Sequence, residues 1–162
     1  MSILKWTLIV VVALVLLIVA AGQMGLFSGR PPQHLGVRDG RLKAPSSTPN
    51  SVSSQAGLWA GHARRTQAQI APLVLVGTGP ETIARIQSIV AEMPSATIVE
   101  AREDYLYVRF TTRWLRFVDD AEFWFDPSTQ VVQVRSASRV GRRDLDVNRQ
   151  RIEAIRQRLS GG

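Results

Sequence analysis

Residues 78–112 read TGPETIARIQSIVAEMPSATIVEAREDYLYVRFTT, and within this stretch the apolar period changes from helical to alternating. Thr78 is placed to cap a helix, with Pro80 and Glu81 in its first turn. Ile83, Ile86, Ile89, Val90 and Met93 then recur at helical spacing until Pro94 ends the run, which predicts an amphipathic helix of about four turns. Beyond Pro94 the period is two. Thr97–Ala101 and Tyr105–Thr112 read as strands joined by an Arg102-Glu103-Asp104 turn, with Leu106, Val108 and Phe110 on one face and Tyr105, Tyr107 and Arg109 on the other.

Working outward, Phe117–Phe125 reads as a third strand. The Asp126-Pro127-Ser128-Thr129 turn leads to a fourth, Gln130–Ala137. Connections this short require antiparallel neighbours. Asp144 can cap a last helix reaching about Leu159, with Leu145, Ile152, Ile155 and Leu159 as its apolar stripe on an otherwise arginine-rich surface. Ile70–Val76 is a candidate fifth strand, confined to an edge by Pro72. The expected fold is therefore α+β, a four-stranded antiparallel meander with two helices on one face and a possible fifth edge strand.

Composition limits the chemistry. The chain has 162 residues, 20 Lys+Arg against 13 Asp+Glu, two histidines and no cysteine. Disulfide scaffolds, thiolate metal sites and cysteine nucleophiles are excluded, and two histidines leave little for histidine chemistry. His34 and His62 have no acid at triad or ligand spacing and read as surface residues. No catalytic residue, metal or cofactor is expected.

The N-terminal stretch differs from the rest. From Trp6 to Ala21 the only polar side chain is Thr7, and Ile3–Phe27 is long enough to cross a bilayer with Lys5 snorkelling and Trp6 at the interface. Residues 1–27 read as a transmembrane anchor or signal-anchor in contact with the bilayer through residues 3–27. A cleaved signal peptide ending near Val19-Ala20-Ala21 is the alternative. Residues 28–61, rich in Pro, Gly and Ser, read as an extended or wrapping segment, and residues 62–162 as the α+β domain. Orientation stays open at this point. Arg30, Arg38, Arg41 and Lys43 favour a cytosolic domain by the positive-inside count, whereas long domains translocate largely regardless of charge.

Three stretches carry a resemblance: Pro-Asn-Ser-Val-Ser-Ser-Gln at 49–55, Arg-Phe-Val-Asp-Asp-Ala-Glu-Phe at 116–123, and Arg-Ser-Ala-Ser-Arg-Val-Gly at 135–141 followed by Asp144-Leu145 and Asn148-Arg149. Over about Leu35–Arg156 the chain resembles the family catalogued as domain of unknown function 1499. The resemblance implies a bacterial or plastid protein, often preceded by a signal or anchor, without an agreed biochemical role. Members commonly carry cysteines where this chain has Ala44 and Ser51, and losing both together suggests a structural disulfide in relatives. An oxidising compartment for those relatives implies, for this chain, a single-pass protein of the bacterial cytoplasmic membrane with its C-terminal domain outside the cytosol.

Two groups could carry function. Asp119, Asp120 and Glu122 lie on the third strand, where alternation places Asp119 on the aromatic face and so requires a partner, with Arg135, Ser136, Ser138 and Arg139 as candidates. An ion pair fixing strand register, built from Asp119, Asp120 and Arg139, is the expected role. The connection from Ser136 through Arg143 to the last helix has an anion-binding composition, with Arg135, Ser136, Ser138, Arg139, Arg142, Arg143 and Asn148 as the candidate site. Its single Gly141 matches no nucleotide-binding fingerprint. Arg149, Arg151, Arg156 and Arg158 on the last helix could meet anionic lipid, with nucleic acid the weaker choice. Trp59, Trp114 and Trp124 read as core or interface anchors, Trp59 with a possible lipid contact. Three functions remain open: a non-enzymatic envelope domain that binds a protein or assists assembly, a binder of anionic ligands or lipid headgroups, and a hydrolase using Asp119.

Overall fold

A computed structural model describes residues 2–161. It opens with α1, Ile3–Gln23, a helix of 21 residues. At 1.5 Å per residue it is about 31 Å long, matching the hydrocarbon core of a bilayer. Its most apolar 18 residues have a mean hydropathy of 2.9 and none is buried against the rest of the chain. By length and composition α1 is therefore suited to be a membrane anchor or a signal sequence.

The remaining elements are β1 (Ser51–Ser53), a 3-10 turn at Ala56–Leu58, the single-turn α2 (Arg65–Ala68), β2 (Leu73–Val74), α3 (Gly79–Ala91), β3 (Ala96–Ala101), β4 (Tyr105–Thr111), β5 (Val118–Asp126), β6 (Val131–Ser138) and α4 (Val147–Ser160). The strands form one antiparallel sheet of six in the order β1-β6-β5-β4-β3, with β2 also on the outer edge of β6. The expected meander is its centre, and the expected edge strand is the two-residue β2, directly after Pro72.

The sixth strand was not expected. β1 lies within the Pro/Gly/Ser-rich segment and consists of Ser51, Val52 and Ser53, too short to show a period. Pairing with Ala137, Ser136 and Arg135 of β6 makes it a strand.

α3 starts with a reciprocal cap. Thr78 Oγ1 accepts the Glu81 N–H, and Glu81 Oε2 accepts the Thr78 N–H at 2.7 Å. Its stripe of Ile83, Ile86 and Val90 packs with Ile152, Ile155 and Leu159 of α4 over Leu106, Val108, Phe110, Ala121, Phe123, Val132 and Val134. Both helices thus cover one face of the sheet, as alternation along the strands requires.

Two sequence assignments shift, one before α4 and one before β5. Leu145 is 83% exposed rather than part of the apolar stripe, because the helix begins only at Val147. Leu145 and Asp146 take left-handed backbone angles, and Asp144 caps from before them, its Oδ2 accepting the Asn148 N–H at 3.1 Å. Phe117 likewise precedes β5 instead of belonging to it, and lies against Phe27.

The other face of the sheet is covered by residues 30–48, here called the strap. Apart from an Arg38–Arg41 bridge it forms no regular structure. Leu42 and Val37 pack on Tyr105, Tyr107 and Trp124, a much smaller apolar cluster than the helix side. Hydrogen bonds fix the strap instead: the Leu42 N–H donates to Gln55 Oε1 at 2.8 Å, and Gln55 Nε2 donates to Gly40 O at 2.9 Å. Between Ala44 and Ser51, Ser51 Oγ accepts the Ser46 N–H at 2.8 Å.

Candidate functional site

Alternation along β5 and β6 sends the candidate residues to opposite faces. On the helix face, Asp119 pairs with Arg151 of α4 at 2.6 Å, not with Arg139. Arg151 also donates to Asn148 Oδ1 at 2.8 Å and to Ser136 Oγ at 3.2 Å, and its guanidinium lies 4.3 Å from the centre of the Phe110 ring. Asn148 Nδ2 donates to Asn50 O, Ser138 Oγ and Asp144 Oδ2, joining β1, β6 and the α4 cap. Ser136, Ser138 and Asn148 are therefore engaged in one structural network. The Ser136 hydroxyl, which shares Arg151 with Asp119, donates to Asn148 Oδ1 and has no imidazole on it.

On the strap face, Asp120 meets Arg139 in a two-point pair, Nε to Oδ2 and Nη2 to Oδ1, both 2.8 Å. Tyr107 OH donates to Asp120 Oδ1 at 2.5 Å. Burial, the hydrogen bond to Asp120 and the charge of that carboxylate push the Tyr107 phenol up to about 12. Gly29, with φ +66°, allows the start of the strap to cross this pair, since a Cβ there would come within 2.7 Å of Arg139 Cβ.

The second strap-face pair is looser. Arg135 Nη1 is 3.7 Å from Glu122 Oε2, and both side chains are almost fully buried. Glu122 Oε1 accepts Tyr105 OH at 2.8 Å and the Gly36 N–H at 2.7 Å, while Arg135 Nε donates to Ala44 O at 3.2 Å. Glu122 Oε2 and Arg135 Nη1 have no hydrogen-bond partner among the described residues. Burial raises the Glu122 pKa against the opposing pull of Arg135, Gly36 and Tyr105, and burial lowers that of Arg135 against the attraction of Glu122.

These pairs adjoin an open cleft of about 450 Å³ between the strap and β6. Arg30, Lys43, Arg135 and Arg139 line it, against the single carboxylate of Asp120. Asn50 also lines it: its Nδ2 donates to Ser138 O and Gly141 O, and its buried Oδ1 has no partner. A donor and an acceptor without a hydrogen-bond partner among the described residues thus belong to side chains of one cationic cleft.

Of the residues grouped by the sequence, Arg135, Ser138 and Arg139 border this cleft, whereas Arg142 and Arg143 are exposed outside it. The α4 arginines are largely occupied. Arg149 donates to Gln67 O and Gln69 O, and Arg156 to Ala71 O and Pro72 O, fastening α4 to the chain before β2. The sequence reading missed the site roles of Tyr105, Tyr107, Arg30 and Lys43. A signal for the tyrosines existed, since Tyr-x-Tyr on β4 and Asp-x-Glu on β5 alternate onto the same face, where Tyr105, opposite Trp124, reaches Glu122 and Tyr107, opposite Glu122, reaches Asp120.

No curated protein and no solved structure matches the chain. A family model described as protein of unknown function (DUF1499) matches residues 41–159, which include both strap-face pairs and all of β1–β6. The chain therefore belongs to the DUF1499 family.

Proposed function

We infer that the protein is a membrane-anchored, non-enzymatic envelope domain whose strap-side cleft binds a small hydroxylated anion. One observation carries this reading: Arg135 Nη1 and Asn50 Oδ1, both without a hydrogen bond among the described residues, belong to side chains that line the same cationic cleft. An anionic oxygen would engage the guanidinium, and a ligand hydroxyl would donate to the amide oxygen. Arg30 and Lys43 at the rim add attraction. α1 supports the anchoring, and the cysteines of relatives support a domain outside the cytosol.

The assembly reading has its own support in β3, whose outer edge pairs with no strand among the described residues and which carries the exposed Val99.

Calorimetric titration of the full chain in detergent, with glycerol phosphate and inorganic phosphate as probes, tests the cleft. Glycerol phosphate is expected to bind more tightly. Arg30→Gln and Lys43→Gln are each expected to weaken it about threefold to fivefold without moving the melting temperature. No heat from either probe at millimolar concentration, or rim variants that bind like the parent, would sink the proposal.

A further inference from the structure

The C-terminal end of α1 is docked on the sheet. Gln23 Nε2 donates to the carbonyl oxygens of Arg113 at 3.0 Å and Trp114 at 2.8 Å. Gly22 lies so close to the chain at Leu115 that a Cβ there would come within 2.8 Å of Leu115 Cα. Phe27 and Phe117 follow with ring centres 5.7 Å apart. Three contacts therefore hold the β4–β5 hairpin, Thr112–Phe117, beside the last turn of α1.

That hairpin has the composition of a membrane interface. Trp114 is 62% exposed, with the Arg113 guanidinium 5.1 Å from its ring centre. A cavity of about 390 Å³ lies between the α1 end and the sheet, lined in part by Gln23, Ser28, Arg109, Arg116 and Arg139. Arg139 is committed to Asp120, whereas Arg109 and Arg116 have no carboxylate partner among the described residues. At the other end of α1, one helix length away, stands Trp6. A helix of bilayer length thus has an exposed tryptophan at each end, one from its own sequence and one from the hairpin.

We propose that the Thr112–Phe117 hairpin sits in the headgroup layer of the bilayer that α1 crosses, Trp114 anchoring it at the interface and Arg109, Arg113 and Arg116 engaging anionic phospholipid phosphates. The proposal rests on α1 lying in a bilayer. It concerns a site separate from the strap-side cleft, although Arg139 borders both cavities. The opposite end of β4, at Arg102–Asp104, is about 20 Å away along the strand and carries Glu103 and Asp104, which an anionic surface would repel.

The test uses tryptophan fluorescence of the full chain in nanodiscs of phosphatidylcholine and phosphatidylglycerol, with brominated acyl chains as quenchers. Trp6→Phe and Trp59→Phe leave Trp114 and the buried Trp124, and Trp114→Phe in that background measures the Trp124 contribution. Emission from Trp114 is expected to be quenched by bromines near the glycerol end of the chain more than by deep ones. Brominated phosphatidylglycerol should quench at least about twofold more than brominated phosphatidylcholine at equal mole fraction, a preference that Arg109→Gln with Arg116→Gln removes. Val12→Trp, introduced with Trp114→Phe, reports on α1 itself. Quenching at position 12 with none at Trp114 overturns this proposal and leaves the anchor standing. Absence of quenching at both positions overturns both, and equal quenching by the two lipids overturns the phosphate contacts.

Discussion

The two faces of the sheet are built on different principles. The helix face buries a continuous cluster from β4, β5, β6, α3 and α4, and its polar network Asp119–Arg151–Ser136–Asn148 leaves no orphaned atom among the described residues. The strap face buries little more apolar surface than Leu42, Tyr105 and Trp124, yet it holds two acid–arginine pairs, and atoms of Glu122, Arg135 and Asn50 have no hydrogen bond among the described residues. Apolar burial scales with apolar area, of which residues 30–48 bring little beyond Val37 and Leu42, whereas hydrogen bonds can pin an irregular segment at a few points. Stability should therefore concentrate on the helix face and adaptability on the strap face.

The largest effects should come from the helix face. Phe123 is fully buried at the centre of the core, and Phe123→Ala is expected to cost about 3–5 kcal/mol in urea unfolding of the detergent-solubilised chain. A loss below about 1 kcal/mol would mean that the two faces contribute alike.

Next comes Arg139→Ala, which strands the buried Asp120 carboxylate and removes both 2.8 Å contacts, with an expected cost of about 3 kcal/mol. Arg135→Met combined with Glu122→Gln removes both charges of the loose pair together and is expected to change stability by less than about 1 kcal/mol. The same double variant should bind glycerol phosphate more weakly than the parent. If it instead unfolds the protein as readily as Arg139→Ala, the loose pair is a structural element and the contrast within the strap face disappears.

The part of this architecture legible in the sequence is the part with a local period. The α3 stripe and its Thr78–Glu81 cap, and the alternation of β4, β5 and β6, are each set by residues a few positions apart. β1 and the strap are not legible in this way, because Ser51–Ser53 is a strand only through β6 and residues 30–48 cover the sheet through separate hydrogen bonds. The partner of Asp119 could not be chosen because Arg151 reaches it from a helix 32 positions later. The grouping of Arg135 and Arg139 with Ser136 and Asn148 had a different cause. Period-two alternation already separates Arg135 and Arg139 from Ser136 and Ser138, and a loop-like reading of the composition set that rule aside. The anion-binding expectation therefore named some of the cleft residues and mixed them with members of the structural network behind the sheet.

The smallest effect, and the finest discriminator, lies in the pH dependence of stability. Asp126, on the strap face at the far end of β5, is pushed up by burial but held down more strongly by hydrogen bonds from Ser128, Thr129 and Gln133, at about 2 against an ordinary 3.8. The folded state therefore releases this proton more readily than the unfolded chain. Its stabilisation is present above 3.8 and is lost as the pH falls through about 2. Glu122 has the opposite sign, because burial raises its pKa above the ordinary 4.5. From 4.5 up to that raised value the folded state keeps a proton that the unfolded chain has released, so stability declines as the pH rises, by at most about 1.4 kcal/mol per pH unit. Melts across this range should show both limbs in the parent chain, while Glu122→Gln keeps the acid limb of Asp126 and loses the decline above 4.5. Parallel profiles above 4.5 for the parent and Glu122→Gln would mean that Glu122 takes up no proton on folding. Its carboxylate would then be fully satisfied by Arg135, Tyr105 and Gly36, and Arg135 would have no free capacity for a ligand.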